Sequence, residues 1–540
     1  MRSADFVDSS FALDAVSQLD QDVSAALITI REWRNSLVPI NRVPTDVLSL
    51  IPTYLSSQQD RFRVSFVCRH WRRTSLQHAA IWAQLYLPKG ETYMDTLLGR
   101  AKGYALDIIT SQKSASAIIT HLRPYTEQIG CLDFVDDRWA NIQKFSEAIS
   151  GPFPLLHTLK INVANEENLH APDGITPPSL PLFNNAVNLK RFHWCSEMFP
   201  FVNHFAFPNL TTFELSAAPQ NHEFHTPQLL DFLEASPTLQ TVHLRIHGYT
   251  TLRDIPPDRV VVLPNVETFS LVQFIFGEGG YEVAARISCP SMTNTALIHE
   301  NDPGYDLAEE VLPDYASLNA IARQYTKSPA EELVFNTQSP PDFFLACSLT
   351  FLSPDATSLT VGFRMTANNE HWVRRTDVEW TMSNIFPQAT RAIRYYPLLA
   401  KIKRLHIKHG AVLFTARQHA LIVNEIELMF KSLGPLEKLT ISQCDVRLYL
   451  APFLDPPGHH NVERQAGFPP IKELSMLYPM SFDEQDRCMK AILGFAKSQH
   501  TLGVPFEHVT VCMEELPTAM AESLSPWVGA VDCYERRRDP

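Results

Sequence analysis

The sequence predicts an α/β fold in two parts. An N-terminal helix and a small all-helical module come first, and an irregular solenoid follows with parallel strands on its concave face. Three observations predict this. Apolar residues repeat at helical steps over the opening residues, and a compact helical cluster with one Cys and two Trp fills residues 40–87. A six-residue pattern, apolar-x-x-apolar-x-apolar, then recurs ten times between residues 156 and 511. The boundaries that follow are 1–38 for the helix, 39–87 for the module, 88–515 for the array and 516–540 for a C-terminal tail.

Composition sets the outer limits. Hydrophobic residues make up 45% and charged residues 19%, a balance that builds a core rather than a disordered chain. The net charge of −13 argues against broad binding to nucleic acid or anionic membrane, since neither attracts a net acid without a segregated basic patch. The 9 Cys include no CxxC pair, which fits reduced thiols packed as small hydrophobes in the cytoplasm or nucleus. The acidic start (Asp5, Asp8, Asp14) lacks a signal-peptide layout, and no apolar run reaches the ~20 residues of a membrane span.

In the first element, Val16, Leu19, Val23, Ala26, Ile30, Trp33 and Leu37 recur at alternating three- and four-residue steps, and Pro39 stops the pattern. The stripe packs on the next domain or, in a sharper reading, forms a short coiled coil with a second copy.

In the module, one helix following Thr45 as N-cap is expected to bury Val47, Leu48, Ile51 and Leu55. A second carries Phe62, Phe66, Val67 and Trp71, and a short turn ends near Ile81-Trp82. Pro52 removes a helical hydrogen bond and is expected to kink or split the first helix. Arg61, Arg63, Arg69, Arg72 and Arg73 surround Trp71, and a solvated helix face accounts for them better than a nucleic-acid patch does. So few residues make a thin core, and such a unit gains by burying a leftover apolar face on something else.

Taken together, Val43-Pro44-Thr45-Asp46-Val47-Leu48, Ile51, Leu55, Val67-Cys68-Arg69-His70-Trp71 and Ile81-Trp82 resemble the F-box. Val43 stands for the family's usual Leu and Asp46 for its usual Glu. The resemblance implies docking to the Skp-type adaptor that links F-box proteins to cullin. Val43, Pro44, Val47, Leu48, Ile51, Leu55, Val67 and Trp71 are then the adaptor-binding residues, divided between contact and the module's own core.

Beyond the module the hexad appears as LHTLKI, LKRFHW, LTTFEL, LQTVHL, VETFSL, ATSLTV, IKRLHI, LEKLTI, IKELSM and FEHVTV. Its closing apolar-x-apolar triplet reads as a short strand with the middle residue outward, and its first apolar residue fills the bend before it. Proline often precedes it, as at Pro154, Pro208, Pro237 and Pro264. Amphipathic segments such as 226–236 and 416–434 lie between copies. Leu97-Leu98, Leu106-Asp107-Ile108 and Leu132-Asp133-Phe134 look like an opening repeat.

This array resembles a divergent leucine-rich-repeat family, although its spacing is irregular and a large insertion is expected between 272 and 350. The order of the parts is similar to that of the large F-box families of mushroom-forming fungi. An ordinary α/β domain whose buried strands share the pattern is the alternative.

No HExxH, P-loop, GxGxxG or GxSxG motif is present, and His459-His460 in a Pro/Gly loop has no third ligand at metal spacing. The reading is therefore a non-enzymatic substrate receptor without metal or cofactor. It would bind the adaptor, through it cullin, and an unknown target protein. One outward column would line the target groove: Lys160, His193, Glu214, His243, Ser270, Thr360, His406, Thr440, Ser475 and Thr510. As simple solvated strand positions the same residues would do nothing. The rivals are an F-box scaffold acting outside the ligase, and an enzyme with an unrecognised site in 272–350.

Overall fold

The computed structural model describes residues 4–55, 57–86, 91–110, 121–136, 139–149, 151–163, 186–195, 207–217, 224–246, 250–251, 255–256, 258–274, 280–301, 330–338, 345–354, 358–365, 401–409, 416–442, 450, 469–477, 482–511 and 518–533. They fall into two compact units, Met1–Leu189 and Lys190–Pro540. His459, His460 and the glycine-rich 277–279 lie outside the described residues.

The first unit opens with a single long helix, α1 (Ala4–Ser36). Its apolar stripe is open: Val16 is 64% exposed and Trp33 66%, and Leu19, Val23, Ile30 and Leu37 are exposed as well. The stripe therefore does not pack on the module that follows it. At the far end of the helix, Arg69 bonds Glu32 at 3.0 Å and Asn41 donates to the Asn35 carbonyl at 2.7 Å.

The module itself holds α2 (Thr45–Leu50), α3 (Gln58–Val64), α4 (Arg69–Gln77) and α5 (Ala80–Ala83). Pro52 splits the first helix as expected, because the chain leaves α2 at Leu50 and continues as a 3₁₀ turn over Ile51–Tyr54. Pro44, not Thr45, takes the N-cap position and accepts from the Leu48 N–H at 2.9 Å. The single second helix becomes two, α3 and α4, because Ser65–Cys68 interrupts it.

Strands β1 (Gln84–Tyr86), β2 (Leu106–Ile109), β3 (Ile129–Asp136) and β4 (Thr158–Val163) then pair in parallel in chain order. Helix α6 (Glu91–Ala101) lies between β1 and β2 in the chain and buries Met94, Leu97 and Leu98.

In the second unit the chain forms β5 (Arg191–Cys195), β6 (Thr212–Ala217) and β8 (Thr241–Ile246), with the two-residue strands β7 (Phe224–His225) and β9 (Thr250–Thr251) between and after them. Next come β10 (Val261–Val262), β11 (Thr268–Phe274), β12 (Ile287–Ser288), β13 (Asn294–Asn301), β14 (Glu332–Gln338), β15 (Leu345–Leu352) and β16 (Ser358–Met365). The last are β17 (Arg404–His409), β18 (Leu436–Ser442), β19 (Ile471–Met476), β20 (Phe506–Val511) and β21 (Val528–Cys533).

The main sheet of this unit runs β5-β6-β8-β11-β13-β16-β15-β14-β17-β18-β19-β20-β21. All ladders are parallel except β16–β15 and β15–β14. The described residues of 272–350 supply β13, β14 and part of β15 to this same sheet, and the rest of the stretch where an insertion was expected, 302–329 included, lies outside the described residues. The expected tail past residue 515 adds the helix Thr518–Leu524 and β21, which pairs with β20.

The hexad has a physical basis in this sheet. Its fourth residues share one register row, Phe192↔Phe213↔Val242↔Phe269 and, further on, Leu405↔Leu439↔Leu474↔Val509. All are buried. Its first residue closes a turn: Leu156, Leu189, Leu210, Leu239 and Val266 each donate their N–H to the carbonyl three residues earlier. Pro154, Pro208, Pro237 and Pro264 occupy the second position of such turns, where fixed φ fits and no N–H is needed. Side chains stitch neighbouring turns, with Asn188 donating to the Pro154 carbonyl, Thr238 to Pro208 and Asn265 to Pro237. Between β6 and β8 the helix Thr226–Glu234 buries Leu229, Leu230, Phe232 and Leu233, and Phe232 meets Phe213 at a 4.6 Å centroid distance.

Candidate functional site

The helical module sorts its apolar residues into two sets. Trp71 is 7% exposed and donates its indole N–H to Asn41 Oδ1 at 2.6 Å, tying α4 to the segment that enters the module. Trp82, also buried, donates to the Ser75 carbonyl at 2.7 Å, stacks on Phe62 and lies under the Arg100 guanidinium. Leu48, Pro52 and Ile81 complete the core.

The second set faces outward. Val47 is 46% exposed, Tyr54 85%, Phe66 73% and Val67 62%, and Ile40, Pro44 and Leu50 are exposed too. The break between α3 and α4 turns Phe66 and Val67 out of the core. A helical period drawn through that stretch would have put them inside.

The sequence-derived list therefore divides. Pro44, Val47 and Val67 lie on the open face, Val43, Ile51 and Leu55 are half-buried, and Leu48 and Trp71 are core. Leu50, Tyr54, Phe66 and Ile40 were missed as face residues, because periodicity assigns apolar side chains to a core by default. The arginines resolve as well. Arg61 is buried and donates to the Leu55 carbonyl at 2.7 Å, Arg63 pairs with Asp60 and Arg69 with Glu32. Arg72 and Arg73 stay on the surface. The group is dispersed over separate partners and does not act as one cationic patch.

The outward column of the array is a true register row in the second unit. His193, Glu214, His243, Ser270, Ala296 and Thr360 are successive partners, and Thr350, Val334, His406, Thr440, Ser475 and Thr510 continue the row. Lys160 belongs to the first unit, beside Asp133 at 3.8 Å. The row is not uniformly open: Thr440 is 9% and Ser475 4% exposed, so these two are neither solvated positions nor accessible contacts. Over Leu439–Ser442 of β18 and Leu474–Met476 of β19 both faces are buried, as parallel sheets covered on both sides require. The half-exposed members are His193, Glu214, His243, Ser270, Ala296, Thr360, Thr350, Val334, His406 and Thr510.

Two spots in this row carry chemistry. At one, His193 Nδ1 meets Glu214 Oε2 at 2.8 Å. At the other, His406 Nε2 meets Ser442 Oγ at 3.0 Å. The second has the outline of a serine–base pair, but burial and then the Lys408 charge push the His406 pKa down to about 4, too weak to activate a hydroxyl near neutrality. Among the described residues no cluster of three His, Cys, Asp or Glu has metal-ligand geometry, and no helix is long and apolar enough to cross a membrane.

Several large apolar side chains of this small helical unit thus stay exposed. Residues 40–88 match the F-box-like family, and that match covers the whole of the module just described. An F-box-like domain points to adaptor binding in a ubiquitin ligase. No curated protein matches the sequence.

Proposed function

We propose that this protein is the substrate-recognition subunit of a Skp–cullin–F-box ubiquitin ligase. The observation that carries the reading is the exposure of the apolar side chains of Pro44, Val47, Leu50, Tyr54, Phe66 and Val67 within the F-box-like residues. Water-exposed side chains of this size are costly to keep uncovered, and a partner that buries them gains roughly 25 cal/mol per Å² of apolar area. The Skp-type adaptor is the partner this domain class uses, and cullin would be reached through it.

In this reading the strand array is a divergent leucine-rich-repeat-like solenoid whose outward row holds a target protein. The recurrent turn, strand and side-chain stitch support it. The ubiquitin-transfer chemistry belongs to other subunits, so the chain itself needs no catalytic residue, metal or cofactor, and it acts in the cytoplasm or nucleus.

The test separates the two faces. Wild type and a His243→Glu/Thr360→Arg variant are each assembled with adaptor and cullin, and proteins ubiquitylated in extract are compared. A target modified with wild type and lost with the variant, while adaptor binding is kept, supports the reading. Adaptor binding without any modified target sinks the substrate-receptor part and leaves a scaffold that acts outside the ligase.

A further inference from the structure

One cluster on the outward row has a chemistry that protein docking does not use. His193 and Cys195 stand two residues apart on β5, so both side chains point to the same face. Their register partners on β6 are Glu214 and Ser216, and the next strand brings His243 and Arg245. All six residues are half-buried. Cys195 hydrogen-bonds both His193 and Ser216, and the Arg245 charge acts on it too. Glu214 accepts from the His193 Nδ1–H at 2.8 Å, which fixes the tautomer with its lone pair on Nε2. The order is thiol, base, and carboxylate orienting the base.

The consequences for charge run in one direction. The bond to Cys195 and then that to Glu214 raise the His193 pKa against the opposing effect of burial. The bond from His193 lowers the Cys195 thiol below its ordinary value, again against burial, with Ser216 and Arg245 helping. Two other described cysteines behave oppositely: burial pushes Cys131 up to about 11 and Cys289 up to about 12. Position on this face, not the residue type, sets Cys195 apart.

We propose that Cys195 is a site of covalent modification by thiol–disulfide exchange with low-molecular-weight disulfides, activated by His193 and oriented through Glu214. The thiol proton passes to His193, and the Cys195 Sγ thiolate attacks one sulfur of the disulfide. A new S–S bond forms as the old one breaks, and the departing thiolate takes the proton back from the His193 imidazolium. One thiol and one disulfide enter, and one mixed disulfide and one thiol leave. The adduct would stand on the outward row between His193, Ser216 and Arg245, and the chemistry does not depend on adaptor docking.

The experiment uses the full chain and an aromatic disulfide, 5,5′-dithiobis(2-nitrobenzoic acid), with release followed by absorbance and the labelled cysteine found by peptide mapping. Below its pKa an ordinary thiol slows about tenfold for each pH unit removed, because the thiolate fraction falls. Cys195 is expected to be labelled first and to lose rate less steeply than an ordinary thiol between about pH 8 and about pH 6.5. His193→Gln should slow it by about tenfold near neutrality and restore the ordinary pH slope, and Glu214→Gln should do so in part. A wild-type Cys195 that slows tenfold per pH unit like the thiols of the unfolded chain overturns the proposal. So does an unchanged rate in folded His193→Gln or, should that variant not fold, an unchanged rate and slope in Glu214→Gln.

Discussion

Trp71 and Val67 stand four residues apart and do opposite things. Trp71 is 7% exposed and anchored to Asn41, whereas Val67 is 62% exposed. Trp71→Ala should therefore cost about 3–5 kcal/mol, from lost burial and an orphaned Asn41 acceptor. Val67→Ser should change stability by no more than about 0.5 kcal/mol. Urea unfolding followed by circular dichroism distinguishes them. His406 gives a pH-dependent case. Burial and Lys408 hold its folded pKa near about 4, below the ordinary 6.5, so the unfolded chain binds the proton first as pH falls. The stability contribution is whole above about pH 6.5 and is lost progressively as pH drops toward about 4. His406→Gln should flatten stability over that window, and a denaturation midpoint measured against pH for both proteins checks it. At this scale the sequence picked out the module's apolar residues but not which way each side chain faces. Pro44, Val47, Leu48, Val67 and Trp71 all read as one apolar set, because hydrophobicity marks a side chain that leaves water without saying whether its own chain or a partner covers it.

Elements were more legible than residues. The hexad marked the fourth-position row correctly because a buried, register-locked position tolerates few side chains. Leu239 shows the same at the first position: fully buried, it closes the turn onto the Ser236 carbonyl. Leu239→Ala should lower stability by about 2–5 kcal/mol, and Asn265→Ala, which loses only the stitch to Pro237, by about 1 kcal/mol, both read by chemical denaturation. Where the pattern was weak, β13 was missed because its row residue is Thr295, a polar side chain in an apolar slot. The antiparallel turn-back through β14, β15 and β16 was invisible because period-two alternation is the same for either strand direction. In α1 the heptad was read correctly as helix, but the expectation that its stripe packs on the module failed, since Val16 through Leu37 are exposed. Periodicity fixes a helix and its apolar side. It does not supply the surface that side meets.

At the scale of the molecule, two units carry two kinds of surface. The first exposes several large apolar side chains of its helical module, and the second carries a long, largely polar row on paired strands. The two differ in how they should respond to solvent. Apolar docking on Val47, Tyr54, Phe66 and Val67 should persist at high salt, whereas contacts through His193, Glu214 and His243 should weaken there. The central claim is that the exposed face of residues 40–88 docks a Skp-type adaptor. Its most direct test is the affinity of the purified full chain for that adaptor, wild type beside a Val47→Glu/Val67→Glu variant, with helix content checked in both. Wild type should bind, and the folded variant should bind at least about tenfold more weakly, since each change places a charge in an apolar contact. A well-folded wild type that does not bind, or a variant that binds as tightly as wild type, would contradict it.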